Sequence, residues 1–91
     1  MKYWFYENRN DSHYWNSDTR FHWKVLFKGE EEPTECITNK KCLEPVEGEW
    51  RGWKLNWKTF APGSQMGKMY SKWAEEITKE EAEKIVGQEL E

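Results

Sequence analysis

Two stretches of the chain alternate between large apolar residues and other residues with a period of two. Their apolar positions are Phe21, Trp23, Val25 and Phe27 in residues 21–28, and Trp53, Leu55 and Trp57 in residues 53–58. Because successive side chains of a strand point to opposite faces of a sheet, each stretch is predicted to be a half-buried β-strand. Residues 2–7 carry aromatic side chains at both parities, which is typical of a strand covered on both sides or of one with an exposed aromatic face. A weaker alternation over residues 68–74 predicts a further strand.

The C-terminal region predicts a helix over about residues 79–90. Thr78 and Glu81 stand at the spacing of a capping box, in which the threonine hydroxyl and the glutamate carboxylate satisfy backbone amides at the helix start. The apolar residues of this region fall on one helical stripe: Ala82, Ile85, Val86 and Leu90. The opposite side is rich in Glu and Lys, so the stripe needs a sheet to cover it.

These elements together predict an α+β fold in which one C-terminal helix packs on one face of a small twisted antiparallel β-sheet of about four strands. Residues 1–91 form a single domain, with no internal repeat and no linker. Residues 8–19, 30–33 and 61–64 are predicted to be loops because they are rich in polar, Pro and Gly residues.

Aromatic residues supply the apolar surface that aliphatic residues usually provide. The chain has seven Trp, four Tyr and four Phe but only ten Leu, Ile and Val. Each ring buries roughly 150 to 250 Å², and a domain of this length has a radius of only about 12 Å. Some rings must therefore stand at the surface, which indicates a binding face rather than a deep pocket.

Charge is segregated along the chain although the net charge is only −3. Residues 29–49 and residues 73–91 each carry seven acidic and two basic groups, whereas residues 50–72 carry five basic groups and no acid. An acid-free stretch in an acidic protein favours a surface kept positive for an anionic partner. Solvation of acidic loops and helices accounts for the same blocks without any partner.

If the helix covers the face of Phe21 and Trp53, alternation puts basic residues on the opposite face. The predicted ligand-binding residues on or beside that face are Arg20, His22, Lys24, Lys28, Trp50, Lys54, Asn56, Lys58, Lys68, Tyr70 and Lys72. Tyr14 and Trp15 join them from the 8–19 loop, because two rings amid polar residues are unusual in a passive connection. A solvent-facing sheet surface must be polar in any case, and outward lysines also protect strand edges, so an ordinary solvated face is the competing interpretation.

Planar rings beside Lys and Arg are what an anionic ligand with a flat base requires. The leading hypothesis is therefore a small non-enzymatic binding protein for a nucleotide or nucleic acid, without a cofactor. The alternative is a protein–protein interaction module, such as a viral or mobile-element inhibitor, that uses exposed Trp and Tyr anchors and acidic segments against a basic protein partner. The first hypothesis rests on the aromatic rings that lie beside basic residues. The second rests on the small size of the protein and on its acidic segments.

Other chemistry is weakly indicated. Residues 63–69 have a glycine spacing one residue too short for a nucleotide hydrolase loop, with Met69 where Ser or Thr would bind magnesium. The two histidines, His13 and His22, match no zinc pattern with the cysteines, so no metal site and no catalytic residue are predicted. A hairpin disulfide between Cys36 and Cys42 is geometrically permitted, but reduced thiols and a cytoplasmic, non-membrane protein are expected because residues 1–6 are too short for a signal peptide.

Overall fold

A computed structural model describes residues 1–10, 20–44, 47–64, 67–68 and 73–90. Its elements are β1 (Lys2–Asn10), β2 (Arg20–Gly29), β3 (Glu35–Glu44), β4 (Lys58–Thr59), β5 (Glu75–Ile77) and the helix α1 (Lys79–Val86). The strands form one antiparallel sheet in the order β4-β3-β2-β1-β5. The predicted α+β class is confirmed, with five strands where about four were expected.

Both faces of the sheet are packed, and α1 lies on the face opposite to the predicted one. Val25, Leu26 and Phe27 on β2 are all fully buried. Leu26 belongs to the helix-side cluster, whose buried members are Tyr3, Leu26, Ile37, Trp53, Ala82, Val86 and Leu90. Val25 and Phe27 belong to a second cluster on the other face, with Trp4 and Cys36. The prediction that the helix covers the face of Phe21, Trp23, Val25 and Phe27 is therefore wrong.

The neighbouring strands supply the other apolar residues of the face on which the helix packs. Leu26 lies opposite Phe5 of β1 and Ile37 of β3, so three apolar side chains form a continuous row across the sheet. Tyr3 extends this apolar surface toward the start of β1. The aromatic residues of β1 divide between the two clusters, since Trp4 packs in the second one. Of the two interpretations of residues 2–7, a strand covered on both sides is the one the structure shows.

The strand β3 contains both cysteines and decides whether a disulfide can join them. Cys36 and Cys42 lie on one continuous strand, where each residue advances the chain by about 3.3 Å. Six such steps separate the two Cα atoms by about 20 Å, whereas a disulfide needs them within about 7 Å. A hairpin disulfide between Cys36 and Cys42 is therefore excluded.

Because Cys36 is buried, the free energy of unfolding is expected to depend on pH in the alkaline range. Burial raises the pKa of the Cys36 thiol above its ordinary value of 9.0, and the charge of Lys58 offsets part of that rise. Between the ordinary pKa and the raised one the unfolded chain binds fewer protons than the native protein, so the free energy of unfolding falls as the pH rises through this window. We expect a steeper fall in the wild type than in Cys36→Ala when urea denaturation is measured at several pH values above 9.0. Parallel pH profiles would contradict this assignment.

Two of the predicted strands have a different structure. The alternating stretch over residues 53–58 contributes only Lys58 and Thr59 to the sheet, and residues 47–57 form neither helix nor strand. In the stretch 68–74, the described residues Lys68 and Trp73 are helical, and the strand β5 begins after it. The predicted strand is therefore not formed at Lys68 or Trp73, and residues 69–72 lie outside the described residues.

The start of α1 confirms the predicted capping box. The Thr78 hydroxyl accepts a hydrogen bond from the Glu81 amide at 3.1 Å, and the Glu81 carboxylate accepts one from the Thr78 amide at 3.2 Å. The helix ends earlier than predicted because Gly87 adopts a left-handed conformation with φ 70° and donates its N–H to the Glu83 carbonyl at 2.8 Å. Leu90 still reaches the helix-side cluster, where its amide donates to the Glu83 carboxylate at 2.8 Å.

Removal of the cap should measurably lower stability. We expect Thr78→Ala to cost about 1 kcal/mol, because the Glu81 amide loses its acceptor. For a domain of this size the melting temperature then falls by roughly 4 to 8 °C. Lys79→Ala, at the next and exposed position, is the control and should leave the melting temperature nearly unchanged. Equal effects of the two substitutions in a thermal melt would refute the cap assignment.

Candidate ligand-binding site

The helix-side face of the sheet continues beyond the Leu26 row into a polar region. Alternation along β2 puts Lys24 and then His22 on the same face as Leu26, further toward the start of the strand. The register brings Lys41 of β3 opposite His22, and Glu7 of β1 opposite Lys24. Side chains from three adjacent strands therefore meet at this end of the sheet.

The irregular segment of residues 47–57 lies across this region and is held by hydrogen bonds to β3 and to the residues that follow α1. The Gly48 amide donates to the Cys42 carbonyl at 2.8 Å. The Asn39 side-chain amide donates to the Arg51 carbonyl at 2.7 Å, and the Gln88 side chain donates to the Trp53 carbonyl at 2.8 Å. These bonds hold Trp50, which lies between the attachment points, over the polar region of the sheet.

Three residues of the sheet surround Trp50. The ammonium groups of Lys24 and Lys41 lie 4.4 and 5.5 Å from the centroid of the Trp50 ring. The His22 ring meets Trp50 edge to face, with centroids 4.8 Å apart and an interplanar angle of 70°. Together His22, Lys24, Lys41 and Trp50 form the Trp50 cluster. Each cation–ring contact contributes about 0.5 to 2 kcal/mol, depending on desolvation.

Glu7 adds a carboxylate to the edge of the Trp50 cluster. Its Oε2 atom lies 2.8 Å from His22 Nε2 and 4.0 Å from Lys24 Nζ. The carboxylate is about half exposed, so solvent screens these pairs and their main effect is to orient His22 and Lys24. Lys24 and Lys41 outnumber Glu7, so these three groups together carry a positive charge.

Lys28 and Trp57 form a separate cation–ring pair on the same face. The Lys28 ammonium lies 4.3 Å from the Trp57 ring centroid and 3.4 Å from the Glu35 carboxylate. Leu26 and its neighbours in the helix-side cluster lie between this pair and Lys24 on β2. Lys28 is thus engaged by a ring and an acid of its own and is not part of the Trp50 cluster.

The residues predicted to form one basic face lie in several parts of the structure, and the face that holds three of them also carries acidic residues. His22, Lys24 and Lys28 share the helix-side face with Glu7 and Glu35, so this face is not purely basic, because β1 and β3 supply carboxylates that alternation in β2 does not reveal. The remaining predicted residues lie elsewhere: Lys54 and Asn56 are exposed on segment 47–57, Lys58 pairs with Cys36 on β4, Lys68 is an exposed helical residue, and Arg20 is the first residue of β2. Tyr14, Trp15, Tyr70 and Lys72 lie outside the described residues.

The pairing with Cys36 puts Lys58 on the opposite side of the sheet from the Trp50 cluster. Cys36 belongs to the second cluster, and residues directly opposite each other in an antiparallel pair share a face. The Trp50 cluster therefore contains three of the predicted residues, His22, Lys24 and Trp50, and one that was not predicted, Lys41.

Lys41 lies on β3, a strand that the sequence analysis did not predict. The absence of Gly and Pro from residues 34–44 is the sequence feature that favours a strand there.

A second group of rings and a cation lies on the face opposite to the Trp50 cluster. The Lys40 ammonium is 4.8 Å from the Phe21 ring centroid and 5.7 Å from the Trp23 ring centroid. The indole Nε1 atom of Trp23 is buried, and no acceptor for it is found among the described residues. This group has one lysine, which is exposed, whereas the Trp50 cluster has two lysines.

Comparison with known proteins yields no relative: no family model, no curated protein and no solved structure matches the chain. Within the described ranges, no helix is long and apolar enough to cross a membrane. No group of three or more His, Cys, Asp or Glu side chains suited to a metal ion occurs in that part of the chain either.

Proposed function

We propose that this protein is a non-enzymatic binding protein that holds an anionic ligand with a flat ring, of the nucleotide or nucleic acid class, at the Trp50 cluster. The observation that supports the proposal is the pair of ammonium groups at the Trp50 ring, 4.4 and 5.5 Å from its centroid. Both lysines come from adjacent strands of a hydrogen-bonded sheet, so the positions of their backbones are fixed before any ligand arrives.

The two residue types supply different parts of the binding energy. A ligand phosphate is attracted to Lys24 and Lys41, and this attraction does not depend on the base. A base that stacks on an aromatic ring such as Trp50 gains about 1 to 3 kcal/mol. Glu7 opposes binding by its charge but keeps His22 and Lys24 oriented, so the net preference is for a ligand that carries several negative charges.

A thermal-shift screen tests the proposal with compounds that differ in the number of phosphates and in the presence of a base. Nucleoside mono-, di- and triphosphates and short oligonucleotides should raise the melting temperature, whereas an uncharged nucleoside should not. A ligand at one hundred times its dissociation constant adds about 2.7 kcal/mol of stability. Inorganic phosphate separates the two parts of the site, since it meets the lysines but has no ring to stack. Equal shifts from phosphate and from nucleotides would speak against stacking on Trp50.

Salt should weaken the binding of an oligonucleotide in a defined way. If Lys24 and Lys41 neutralise two phosphates of a single strand, a fourfold rise in salt lowers the association constant about sevenfold. Fluorescence titrations at about 50 and 200 mM salt measure this slope, with the 50 to 200 mM interval chosen because screening changes strongly over it. An affinity independent of salt would exclude a phosphate contact at the two lysines.

A further inference from the structure

In the part of the chain that the structure describes, the outer edge of β3 has no partner strand over the middle of its length. The strand β4 pairs with β3 only at Glu35 and Cys36. Toward the other end of β3, the Gly48 amide donates to the Cys42 carbonyl at 2.8 Å. Residues 37–41 lie between these two attachments and form the open edge of β3, which spans roughly 17 Å in an extended strand.

The backbone groups of Thr38 and Lys40 point outward from the open edge. Successive residues of an antiparallel strand direct their N–H and C=O groups to opposite sides, so every second residue points away from the neighbouring strand. The Cys42 carbonyl accepts from Gly48, which is not part of β2, and therefore faces outward. Lys40 and Thr38, two and four residues before Cys42, face the same way, and no loop hydrogen bond among the described residues uses their backbone groups. The open edge thus presents two N–H donors and two C=O acceptors to a further strand.

Lysines flank the open edge on the face of the second cluster. Thr38 and Lys40 share this face with Cys36, and so does Lys58, which pairs with Cys36. An added strand would lie in line with β4. Its side chain opposite Thr38 would stand two residues from Lys58 along that line and diagonally from Lys40, in each case with about 7 Å between the Cβ atoms. Thr38, Lys40 and Lys58 are all exposed, although the Lys40 ammonium lies over two rings of β2. The residues of β3 on this face between 36 and 42 include no acid, so a carboxylate opposite Thr38 meets two cations.

We propose that the open edge of β3 binds an extended acidic segment of a protein partner, which adds a short strand with a carboxylate opposite Thr38. Main-chain hydrogen bonds hold such a segment, and its side chains decide which sequence is accepted. A second copy of this chain is disfavoured, because pairing of two β3 edges brings the lysines of one copy near those of the other, and like charges across a strand pair are destabilising. The site uses no side chain of the Trp50 cluster, so its test does not depend on nucleotide binding.

A short capped peptide of alternating Glu and Thr provides the test. We expect it to shift the Thr38 and Lys40 amide resonances and to slow the exchange of these N–H groups with solvent, because both amides gain an acceptor. The same peptide with N-methyl groups on the residues that face β3 keeps its charge but loses its donors, and it should bind at least about tenfold more weakly. A peptide with Lys in place of Glu should not bind.

The double variant Lys40→Glu with Lys58→Glu should lose binding of the acidic peptide. Its matched control is Lys79→Glu with Lys84→Glu, which makes the same change in net charge at exposed positions of α1 and should bind normally. Thr38→Pro removes one outward donor while the hydrogen bonds to β2 remain, since proline is tolerated in a strand where its nitrogen faces away from the neighbouring strand. We expect this variant to bind more weakly, and thermal melting checks that each variant is folded.

The results that support the proposal are amide shifts at Thr38 and Lys40, weaker binding of the N-methylated peptide, and loss of binding in Lys40→Glu with Lys58→Glu alone of the two double variants. Equal binding of the N-methylated peptide would show that charge attracts the peptide without strand addition. The same amide shifts on concentration of the protein without peptide would identify a second copy as the occupant. Either result, or no shift at any peptide concentration, would overturn the proposal, and the edge lysines would then serve only to repel other strands.

Discussion

Trp53→Ala should lower the free energy of unfolding by about 3 to 5 kcal/mol, the usual cost of truncating a buried aromatic side chain. Trp53 is only 9% exposed and packs in the helix-side cluster, although it lies in a segment with no regular secondary structure. A domain of this length has a total stability of about 5 to 14 kcal/mol, so the loss is a large share of it. Urea denaturation measures the change.

Trp73→Ala is the control for that experiment, because it removes the same kind of side chain from a site that is 57% exposed. We expect its effect to be about 1 kcal/mol or less, in line with surface substitutions and the loss of its ring stacking on Tyr6. Similar losses in the two variants would mean that segment 47–57 does not pack on the sheet as the structure shows. The Trp50 cluster depends on that packing, since Trp50 is held between Gly48 and Trp53.

Charge reversal at the Trp50 cluster should have the largest effect on binding. We expect the double variant Lys24→Glu with Lys41→Glu to lower the affinity for a nucleotide or oligonucleotide by about a hundredfold or more, because two attractive contacts become repulsive and like charges in contact cost several kcal/mol. The fold should persist at a lower melting temperature, because the two cation-ring contacts that are lost contribute only about 0.5 to 2 kcal/mol each. Isothermal titration calorimetry measures the affinity and thermal melting the fold.

The matched control is the double variant Lys54→Glu with Lys58→Glu, which makes the same change in net charge. Both lysines are exposed, Lys54 on segment 47–57 and Lys58 on β4, where its pairing with Cys36 puts it on the other side of the sheet. The sequence alone predicted that Lys24, Lys54 and Lys58 share one face, whereas the structure puts Lys58 on the side of the sheet opposite to Lys24. An equal loss of affinity in the two double variants would indicate a diffuse charge effect and not a site at Trp50.

Local signals made part of the fold predictable. The strand β2 follows from alternation over eight residues, and the start of α1 follows from the capping box of Thr78 and Glu81, which needs only residues three apart. The end of α1 was predicted too late, because Leu90 continues the apolar stripe although Gly87 had already terminated the helix. An apolar stripe in the sequence indicates which residues are buried but not that they are helical, and Leu90 is buried without being helical.

The face covered by the helix was not predictable from β2 alone. Val25, Leu26 and Phe27 are all buried, so both faces of the strand are apolar at its centre and alternation does not distinguish them. The strand β1 was equally ambiguous, with rings at both parities. Only strand pairing, which brings Phe5 and Ile37 beside Leu26 and Trp4 and Cys36 beside Phe27, shows which residues share each face, and such pairing depends on residues distant in sequence.

Segment 47–57 shows how a strand-like pattern arises without a strand. Trp53 is buried, Leu55 and Trp57 are half-buried, and the residues between them are exposed. An extended chain that lies flat on a sheet has one side packed and the other in water, which produces the same period of two as a paired strand. For the same reason the site was only partly predictable: His22, Lys24 and Trp50 were found, but Lys41 and Glu7 reach it through strand pairing.

The central claim is that the Trp50 cluster binds an anionic ligand with a flat ring, and a titration followed by ¹H–¹⁵N resonances of the indoles tests it most directly. With a short single-stranded oligonucleotide we expect a saturable shift of the Trp50 indole, assigned with Trp50→Phe, together with shifts of the His22 and Lys41 amides. The Trp73 indole, at the edge of the sheet, should not move. A titration that leaves Trp50 unchanged, or that moves Trp73 alone, would contradict the claim.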